Sequence, residues 1–241
     1  MSKTYLESYG ATDTGKIRKI NQDAFLNLPE HQFWLVADGM GGHSSGEYAS
    51  AAIINALNTF TPKKAIGATV SDIRCKLSKV NKDLYDLANE GEKHGIIGST
   101  VAALFIHKRY SVSLWSGDSR IYLFRKGKLV QITNDHNYEA FLLANGAKDE
   151  EVINHPFAQS LTHAVGSDEM FFLEEKIQEI RQKDIFLICS DGLNKEVSDQ
   201  EIEAILQTTR IQESIELLMN LCLDRRARDN VTIVLVQFDE N

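Results

Sequence analysis

The middle of the chain restricts the fold most, because four short β-rich runs follow one another with only a few residues between them. These runs are residues 101–106, 111–115, 121–124 and 129–132. Each gap holds residues such as Gly, Asp and Lys that are typical of tight turns. The pattern therefore predicts a series of antiparallel strands.

Helical periodicity appears on both sides of these strands. Residues 45–58 carry an apolar helical face, and Thr69 to Asp72 resembles a capping box that would open a second helix. The apolar stripe of that helix is Ile73, Leu77, Val80, Leu84 and Leu87. A coiled coil is the alternative interpretation, but the stripe lasts too few heptads, so a helix packed on the core is favoured.

Helical and strand patterns also occur in the second half of the chain. The sequence predicts a helix over residues 135–145 that ends at Gly146. Weak periodicity over about residues 146–166 predicts an irregular flap. Strands are predicted at 185–189 and 231–236. A capping box at Ser198 opens one helix, and residues 211–222 form another.

A strand meander with pairs of helices before and after predicts an α+β fold, in which helix pairs flank a β-sandwich. No Pro/Gly/Ser-rich linker interrupts the sequence. We therefore expect a single domain over residues 1–241.

Aspartates recur at the ends of the apolar strands. Asp38, for example, closes the run 33–37 and is followed by Gly39. The aspartates in such positions are Asp23, Asp38, Asp118, Asp191 and Asp229. Each one alone is typical of an ordinary turn beside a strand. Taken together, they could instead meet at one rim of the sandwich, because the edges of strands in a sheet converge.

Carboxylates that lie close together repel one another, and a hard divalent cation relieves that repulsion. Ligation by oxygen alone favours Mg²⁺ or Mn²⁺ over Ca²⁺, and the chain has no D-x-D-x-D-G loop. The seven histidines are scattered and no Cys/His cluster occurs, which argues against a zinc site.

Arg18 precedes Asp23 by five residues and supplies a cation near this group of carboxylates. A guanidinium can pair with a carboxylate or bind a phosphate through two parallel hydrogen bonds. An exposed arginine in a surface loop is the alternative interpretation.

The charge of the chain excludes some partners. Lys plus Arg number 26 against 34 Asp plus Glu, a formal net charge of −8. Nucleic acid and anionic membrane are therefore not expected partners. No apolar run approaches the roughly 20 residues that span a bilayer, and the start does not read as a signal peptide. Cys75, Cys189 and Cys222 are interpreted as reduced core thiols, which predicts a cytoplasmic protein.

Taken together, these motifs resemble the metal-dependent protein phosphatases (PPM, or protein phosphatase 2C), in particular the bacterial branch of that family. The resemblance extends over residues 5–238. It rests on the ordered set Arg18-x-x-Asn21-Gln22-Asp23, Asp38-Gly39-Met40-Gly41-Gly42-His43, Gly98-Ser99-Thr100, Gly117-Asp118-Ser119-Arg120, Asp135-His136, His155-Pro156, Ser190-Asp191-Gly192 and Asp229-Asn230.

The resemblance implies a β-sandwich of two antiparallel sheets between helix pairs, in four layers. It also implies hydrolysis of phosphoserine and phosphothreonine in proteins by a metal-activated water at a binuclear Mn²⁺ or Mg²⁺ centre. By the same resemblance, Asp38 bridges two ions, the Gly39 carbonyl binds the second, and Asp191 and Asp229 hold the first. Asp118 holds a weaker third ion.

For the substrate, the resemblance implies that Arg18 grips the phosphate, and that Asp38 and Arg18 are the catalytic residues. The expected partners are phosphorylated proteins, the substrates of a Ser/Thr kinase in signal transduction. We expect the chain to be a monomer. The alternative is a catalytically silent pseudophosphatase that binds phosphoproteins, although such proteins usually lack the metal-ligand carboxylates.

Two positions depart from the family pattern. Met40 stands where eukaryotic members often have the histidine assigned as general acid, and His43 lies three residues further on. His43 could reach the leaving oxygen, or it could simply begin a helix. A water molecule or the substrate's own proton could act as the general acid instead. Gln22 stands where many members have Glu, so a water-mediated contact to the second metal would be weaker. Gln22, Asp23 and His43 are the residues expected around the ligands.

Charge balance at the site leads to one further expectation. Two divalent cations balance the four carboxylates Asp38, Asp118, Asp191 and Asp229, after which Arg18 leaves the pocket positive. Phosphate binding is therefore predicted to depend on bound metal.

Overall fold

The computed structural model describes residues 4–42, 45–90, 95–153 and 155–240, and the strands in these ranges form two antiparallel sheets. The order of the first sheet is β1 (Thr4–Asp13), β11 (Val231–Glu240), β10 (Ile185–Cys189), β7 (Arg120–Arg125) and β8 (Lys128–Gln131). The order of the second is β2 (Asp23–Leu28), β3 (Phe33–Gly41), β5 (Val101–His107), β6 (Tyr110–Ser116) and β9 (Glu174–Glu179), with β4 (Ile97–Ser99) paired to β3.

Alternation along β3 shows how the layers stack. Trp34 and Val36 belong to a buried cluster that also contains Phe186 of β10, so they face the other sheet. Phe33 and Leu35 point the opposite way, into the cluster formed with the first two helices. This period of two buries both faces of the strand, as a central layer of a sandwich requires.

Helices cover both outer faces. Helices α1 (Ser45–Leu57) and α2 (Ile66–Asn89) pack on the second sheet, and α6 (Asp199–Thr208) and α7 (Ile211–Asp224) pack on the first. The predicted α+β sandwich of two antiparallel sheets flanked by helix pairs is confirmed. None of the helices in the described ranges is long and apolar enough to cross a bilayer.

The two predicted capping boxes have different outcomes. At Ser198 the box forms: the hydroxyl accepts from the Glu201 amide and the Glu201 carboxylate accepts from the Ser198 amide. At Thr69 the prediction is wrong, because α2 already begins at Ile66. The Thr69 hydroxyl bonds instead to the Lys63 amide and the Ala65 carbonyl.

Short helices occupy the connections near the strand ends. They are α3 (Tyr138–Ala144), α4 (Asp149–Ile153) and α5 (Asp191–Asn194). Between α3 and β9, the described part of residues 146–166 forms α4 and turns. The Ser99–Val165 bridge ties this segment to the end of β4, and the Asn137–Leu161 bridge ties it to the start of α3.

One expectation about the cysteines is wrong. Cys189 and Cys222 are buried free thiols, as predicted, but Cys75 is exposed. Cys75 lies on α2 off the buried stripe that contains Ile73 and Leu77, so its side chain faces solvent.

Candidate active site

A pocket of about 440 Å³ opens where the strand ends of the two sheets meet. Among its lining residues are Arg18, Asp38, Asp118, Asp191 and Asp229. These carboxylates come from β3, the β6–β7 turn, the start of α5 and the residues just before β11. The fold thus brings together side chains as far apart in the sequence as Arg18 and Asp229, which are separated by 211 residues. We call the pocket that they line the carboxylate pocket.

Backbone contacts fix Asp38 in the floor of this pocket. Its amide donates to the Thr100 hydroxyl at 3.0 Å, and its carbonyl accepts from the Thr100 amide at 2.8 Å. The Thr100 hydroxyl also shares a 2.7 Å hydrogen bond with that of Ser119. Since Ser119 follows Asp118, one buried hydroxyl pair connects the two segments that carry these aspartates.

Gly39 is required by close packing. A Cβ atom there would overlap the Gly46 carbonyl oxygen in the first turn of α1. The Gly39 amide donates to the Gln22 carbonyl at 3.1 Å, and the Gln22 amide donates to Asn230 Oδ1 at 2.8 Å. Gln22 and Gly39 both line the carboxylate pocket.

Asp23 lies behind the pocket and ties the two sheets together. Its Oδ2 accepts from the hydroxyls of Ser190 and Thr232, each at 2.7 Å. Its Oδ1 is buried without a hydrogen-bond partner. Burial is the main cause that raises the pKa of Asp23 to about 6, although the two hydroxyls oppose it.

The carboxylates that line the pocket repel one another. Burial, followed by the negative charges of Asp23 and Asp191, raises the pKa of Asp38 well above its ordinary value. Burial and the charge of Asp191 raise the pKa of Asp118 to about 7. Burial likewise raises the pKa of Asp191, and Lys195 opposes that shift. The arrangement costs free energy unless positive charge is close by.

Two side chains of the protein supply such charge. Arg18 pairs with Asp229 through Nε–Oδ1 and Nη2–Oδ2 contacts, both 2.9 Å. Lys195, one turn after Asp191 in the sequence, forms an ion pair with its Oδ2. The sequence analysis missed Lys195; its spacing of four residues from Asp191 was the available signal.

The donor set fits a hard divalent cation, because it consists of oxygen atoms and because Asp23 Oδ1 and Asp191 Oδ1 are buried without partners. Among the described residues, no three His, Cys, Asp or Glu side chains already stand as a ready coordination group. Asp191 and Asp229 would have to exchange Lys195 and Arg18 for the ion. His43, expected near the ligands, lies outside the described residues.

His136 is a further residue of the site whose position the sequence analysis did not interpret. Its Nδ1 accepts from the Gly117 amide at 3.2 Å, and its own amide donates to the Gly117 carbonyl at 3.0 Å. The His136 carbonyl accepts from the amide of Thr162 at 2.8 Å. His136 therefore holds the turn before Asp118 and joins it to the flap segment.

Comparisons with known proteins agree with this geometry. Residues 16–235 match the family model described as protein phosphatase 2C. The serine/threonine phosphatase stp of Listeria welshimeri is 31% identical over 235 residues, which cover 94% of this chain and 93% of that protein.

Solved structures give the same result. The structure described as PppA, a key regulatory component of T6SS in Pseudomonas aeruginosa, has a TM-score of 0.89 and 36% identity, covering 98% of this chain and all of that one. The catalytic domain of the serine/threonine protein phosphatase PstP in complex with two manganese ions has a TM-score of 0.85 and 29% identity, with coverage of 98% and 100%. The chain belongs to the protein phosphatase 2C family.

Proposed function

We propose that the chain is a protein serine/threonine phosphatase that hydrolyses phosphoserine and phosphothreonine at a centre of two Mn²⁺ or Mg²⁺ ions. The observation that carries this proposal is the convergence of Asp38, Asp118, Asp191 and Asp229 on one pocket with Arg18. Burying these carboxylates together is costly for the fold, whereas it suits a cation site.

Metal binding is assigned to the same carboxylates. Asp38, the Gly39 carbonyl, Asp191 and Asp229 would hold the two ions, and Asp118 would hold a weaker third. The two manganese ions in the PstP catalytic domain support this assignment. Bound there, the ions supply Lewis acidity and an activated water for phosphate-ester hydrolysis.

The protein's own side chains have separate tasks. Arg18 is half exposed at the pocket, and its guanidinium fork matches two phosphate oxygens. Thr100 and Ser119 keep the Asp38 and Asp118 segments in register. Asp23 fixes β2 against Ser190 and Thr232, immediately beside Asp191 and Asp229. Such fixed geometry orients a bound phosphate without reorganisation during the reaction.

The biological setting is proposed along with the activity. The substrates are phosphorylated proteins, which the name serine/threonine phosphatase of the relatives supports. We propose that a Ser/Thr kinase produces them. We further propose a cytoplasmic monomer that acts in signal transduction.

Hydrolysis of p-nitrophenyl phosphate tests the activity. Purified protein should hydrolyse it with Mn²⁺, and both EDTA and Asp38→Asn should abolish the reaction while circular dichroism shows a retained fold. Activity that survives thorough chelation would contradict the metal-dependent mechanism. A folded protein that binds Mn²⁺ and phosphoprotein but hydrolyses neither phosphoprotein nor p-nitrophenyl phosphate would favour the pseudophosphatase.

A further inference from the structure

A second cleft, of about 870 Å³, opens beside the carboxylate pocket. The two share Asp118, Asp191 and Gln159 as lining residues, so they form one continuous depression. Helix α3 lines the cleft on one side, and the residues before and at the start of β9 line it on another. A phosphorylated residue in the carboxylate pocket would direct its neighbouring chain into this cleft, which we call the flanking cleft.

The flanking cleft exposes large apolar side chains. Phe141 and Phe172 line it with 53% and 42% of their surface exposed, and Leu143 is exposed beside them. Phe172 packs on the ring of His163 at a centroid distance of 4.4 Å, which fixes its position. Exposed apolar side chains concentrated around a cleft are typical of an interaction surface.

The positive charges of the flanking cleft are already paired. Arg120 donates to the Asp135 carboxylate through three contacts of 2.7–3.0 Å, and Lys195 pairs with Asp191. Arg120 is therefore not free to attract an acidic ligand. Lys195 would be released if a metal ion took Asp191, and it would then add one positive charge to the cleft against the two carboxylates of Glu139 and Glu174.

Two negative charges of the cleft have no such partner. Glu139 accepts a 2.6 Å hydrogen bond from the neutral amide of Gln159. Glu174 Oε1 stands 3.5 Å from Nε2 of His136, whose pKa burial lowers, so the ring is neutral near pH 7. In the described part of the chain, neither glutamate pairs with a lysine or arginine. The cleft thus offers two carboxylates for a cationic ligand.

His136 supplies an independent sign of a ligand. Its ring is 6% exposed and lines the cleft, and its Nδ1 accepts the Gly117 amide hydrogen. Neutral His136 therefore carries its proton on Nε2. Glu174 Oε1 faces that nitrogen at 3.5 Å, which is too far for a well-formed hydrogen bond, so the buried donor is left unsatisfied. A peptide carbonyl is an acceptor of the kind this donor lacks.

We propose that the flanking cleft binds the polypeptide next to the phosphorylated residue and selects substrates with lysine or arginine there. Glu139 and Glu174 pair with the cationic head, and Phe141 and Phe172 pack against the aliphatic stem. The inference rests on the proposed phosphatase function and assigns a substrate class to the same site.

Phosphothreonine peptides that differ only in the residues flanking phosphothreonine test the proposal. Three sets carry Arg, Ala or Glu within four residues on either side, and kcat/KM is measured with Mn²⁺. We expect Arg peptides to exceed Glu peptides by about 1.5- to 5-fold, the range for an exposed ion pair. The preference should shrink as salt is raised.

Two variants test whether the preference for Arg peptides comes from the flanking cleft. Glu139→Gln combined with Glu174→Gln should bring the Arg-to-Glu ratio close to one. Glu175→Gln is the matched control: it removes the same charge from the neighbouring position of β9, where Glu175 pairs with Arg74 away from the cleft. The control should keep the full ratio, and melting temperatures confirm that the variants are folded.

The outcomes separate the two proposals. Equal kcat/KM for all peptides, a preference for Glu, or a preference that the double variant retains would each overturn the flanking-cleft assignment while leaving the phosphatase intact. Failure to hydrolyse any phosphopeptide with Mn²⁺ would overturn the proposed function itself.

Discussion

Arg18 and Asp229 form a two-point ion pair, with Nε 2.9 Å from Oδ1 and Nη2 2.9 Å from Oδ2. The arginine side chain is 52% exposed, so the pair lies at the surface of the carboxylate pocket. Its fork therefore takes, within the protein, the same bidentate arrangement in which a guanidinium binds phosphate. If a metal ion took Asp229, the Arg18 fork would be released at the pocket and could bind an incoming phosphate in the same way.

Arg18→Ala should lower kcat/KM for phosphopeptides by about 10- to 100-fold, because the lost charge-assisted hydrogen bonds are worth about 1.5–3 kcal/mol. Arg18→Lys should recover only part of this loss, since an ammonium lacks the planar fork. Steady-state kinetics should give kcat/KM values that fall from the wild type to Arg18→Lys and then to Arg18→Ala. Arg109→Ala, which removes an exposed arginine paired with Glu179, serves as the control and should behave like the wild type. Equal kcat/KM for Arg18→Ala and the wild type would show that Arg18 does not contribute to substrate binding.

Thr100→Val should destabilise the protein by about 1–3 kcal/mol, because the Asp38 amide would lose its buried acceptor and Ser119 its hydroxyl partner. Phosphatase activity should fall as well, since the same hydroxyl keeps the Asp38 and Asp118 segments in register. Urea unfolding measures the first effect. Thr100→Ser keeps the hydroxyl and should cost less than about 1.5 kcal/mol. A serine variant as unstable as the valine variant would show that packing, and not the hydrogen bond, matters at this position.

His136 should make folding stability depend on pH. Burial lowers its pKa below the ordinary value of 6.5, against the opposing charges of Glu174 and Asp135 and with the support of His163. Below pH 6.5 the His136 ring therefore binds a proton in the unfolded chain but stays neutral in the folded chain. The free energy of unfolding falls as a result. The slope is at most about 1.4 kcal/mol per pH unit, and it ends once the pH passes below the folded pKa.

The comparison with His136→Asn isolates this contribution. Asparagine offers an acceptor to Gly117 without titrating, so the variant should lose less stability than the wild type between pH 7.5 and pH 5.5. Chemical unfolding at pH 7.5 and pH 5.5 gives the change in the free energy of unfolding for the wild type and for His136→Asn. Equal losses would mean that His136 takes up its proton as readily in the folded protein as in the unfolded chain.

Phosphate affinity should depend on divalent metal. The pocket carries Asp38, Asp118, Asp191 and Asp229 against Arg18 and Lys195, so it offers an anion no surplus of positive charge unless cations are added. Calorimetric titration with inorganic phosphate should show binding with Mn²⁺ and none with EDTA. Measurable phosphate affinity in the chelated protein would show that Arg18 and Lys195 suffice.

The fold was largely predictable because apolar periodicity determines which residues are buried. The strands around Trp34, Phe105 and Phe186 are continuous apolar runs, and the structure buries these three side chains completely. Strand β9 was missed, since its sequence Glu174–Glu179 is rich in charge and mostly exposed at a sheet edge. An edge strand needs only one partner and little apolar surface, so its sequence carries a weak signal.

The site was predictable only in part. Aspartates at strand ends identify Asp38 and Asp191, because their place in the chain follows from the strand pattern. Lys195 lies four residues after Asp191, so its ion pair could have been predicted from that spacing. The contact of His136 with Gly117 depends instead on how separate segments pack, and no local pattern reports it. The hydrogen bond from Thr232 to Asp23, across 209 residues, is a further example.

The most direct test of the central claim is a calorimetric Mn²⁺ titration of metal-stripped protein, with phosphate release from a phosphothreonine peptide measured at each point. We predict that hydrolysis is absent at the start and rises to saturation as about two ions bind per chain. The same titration of Asp38→Asn should show weakened binding and no hydrolysis. Full hydrolysis before any Mn²⁺ is added, or no Mn²⁺ binding by the wild type, would contradict the account.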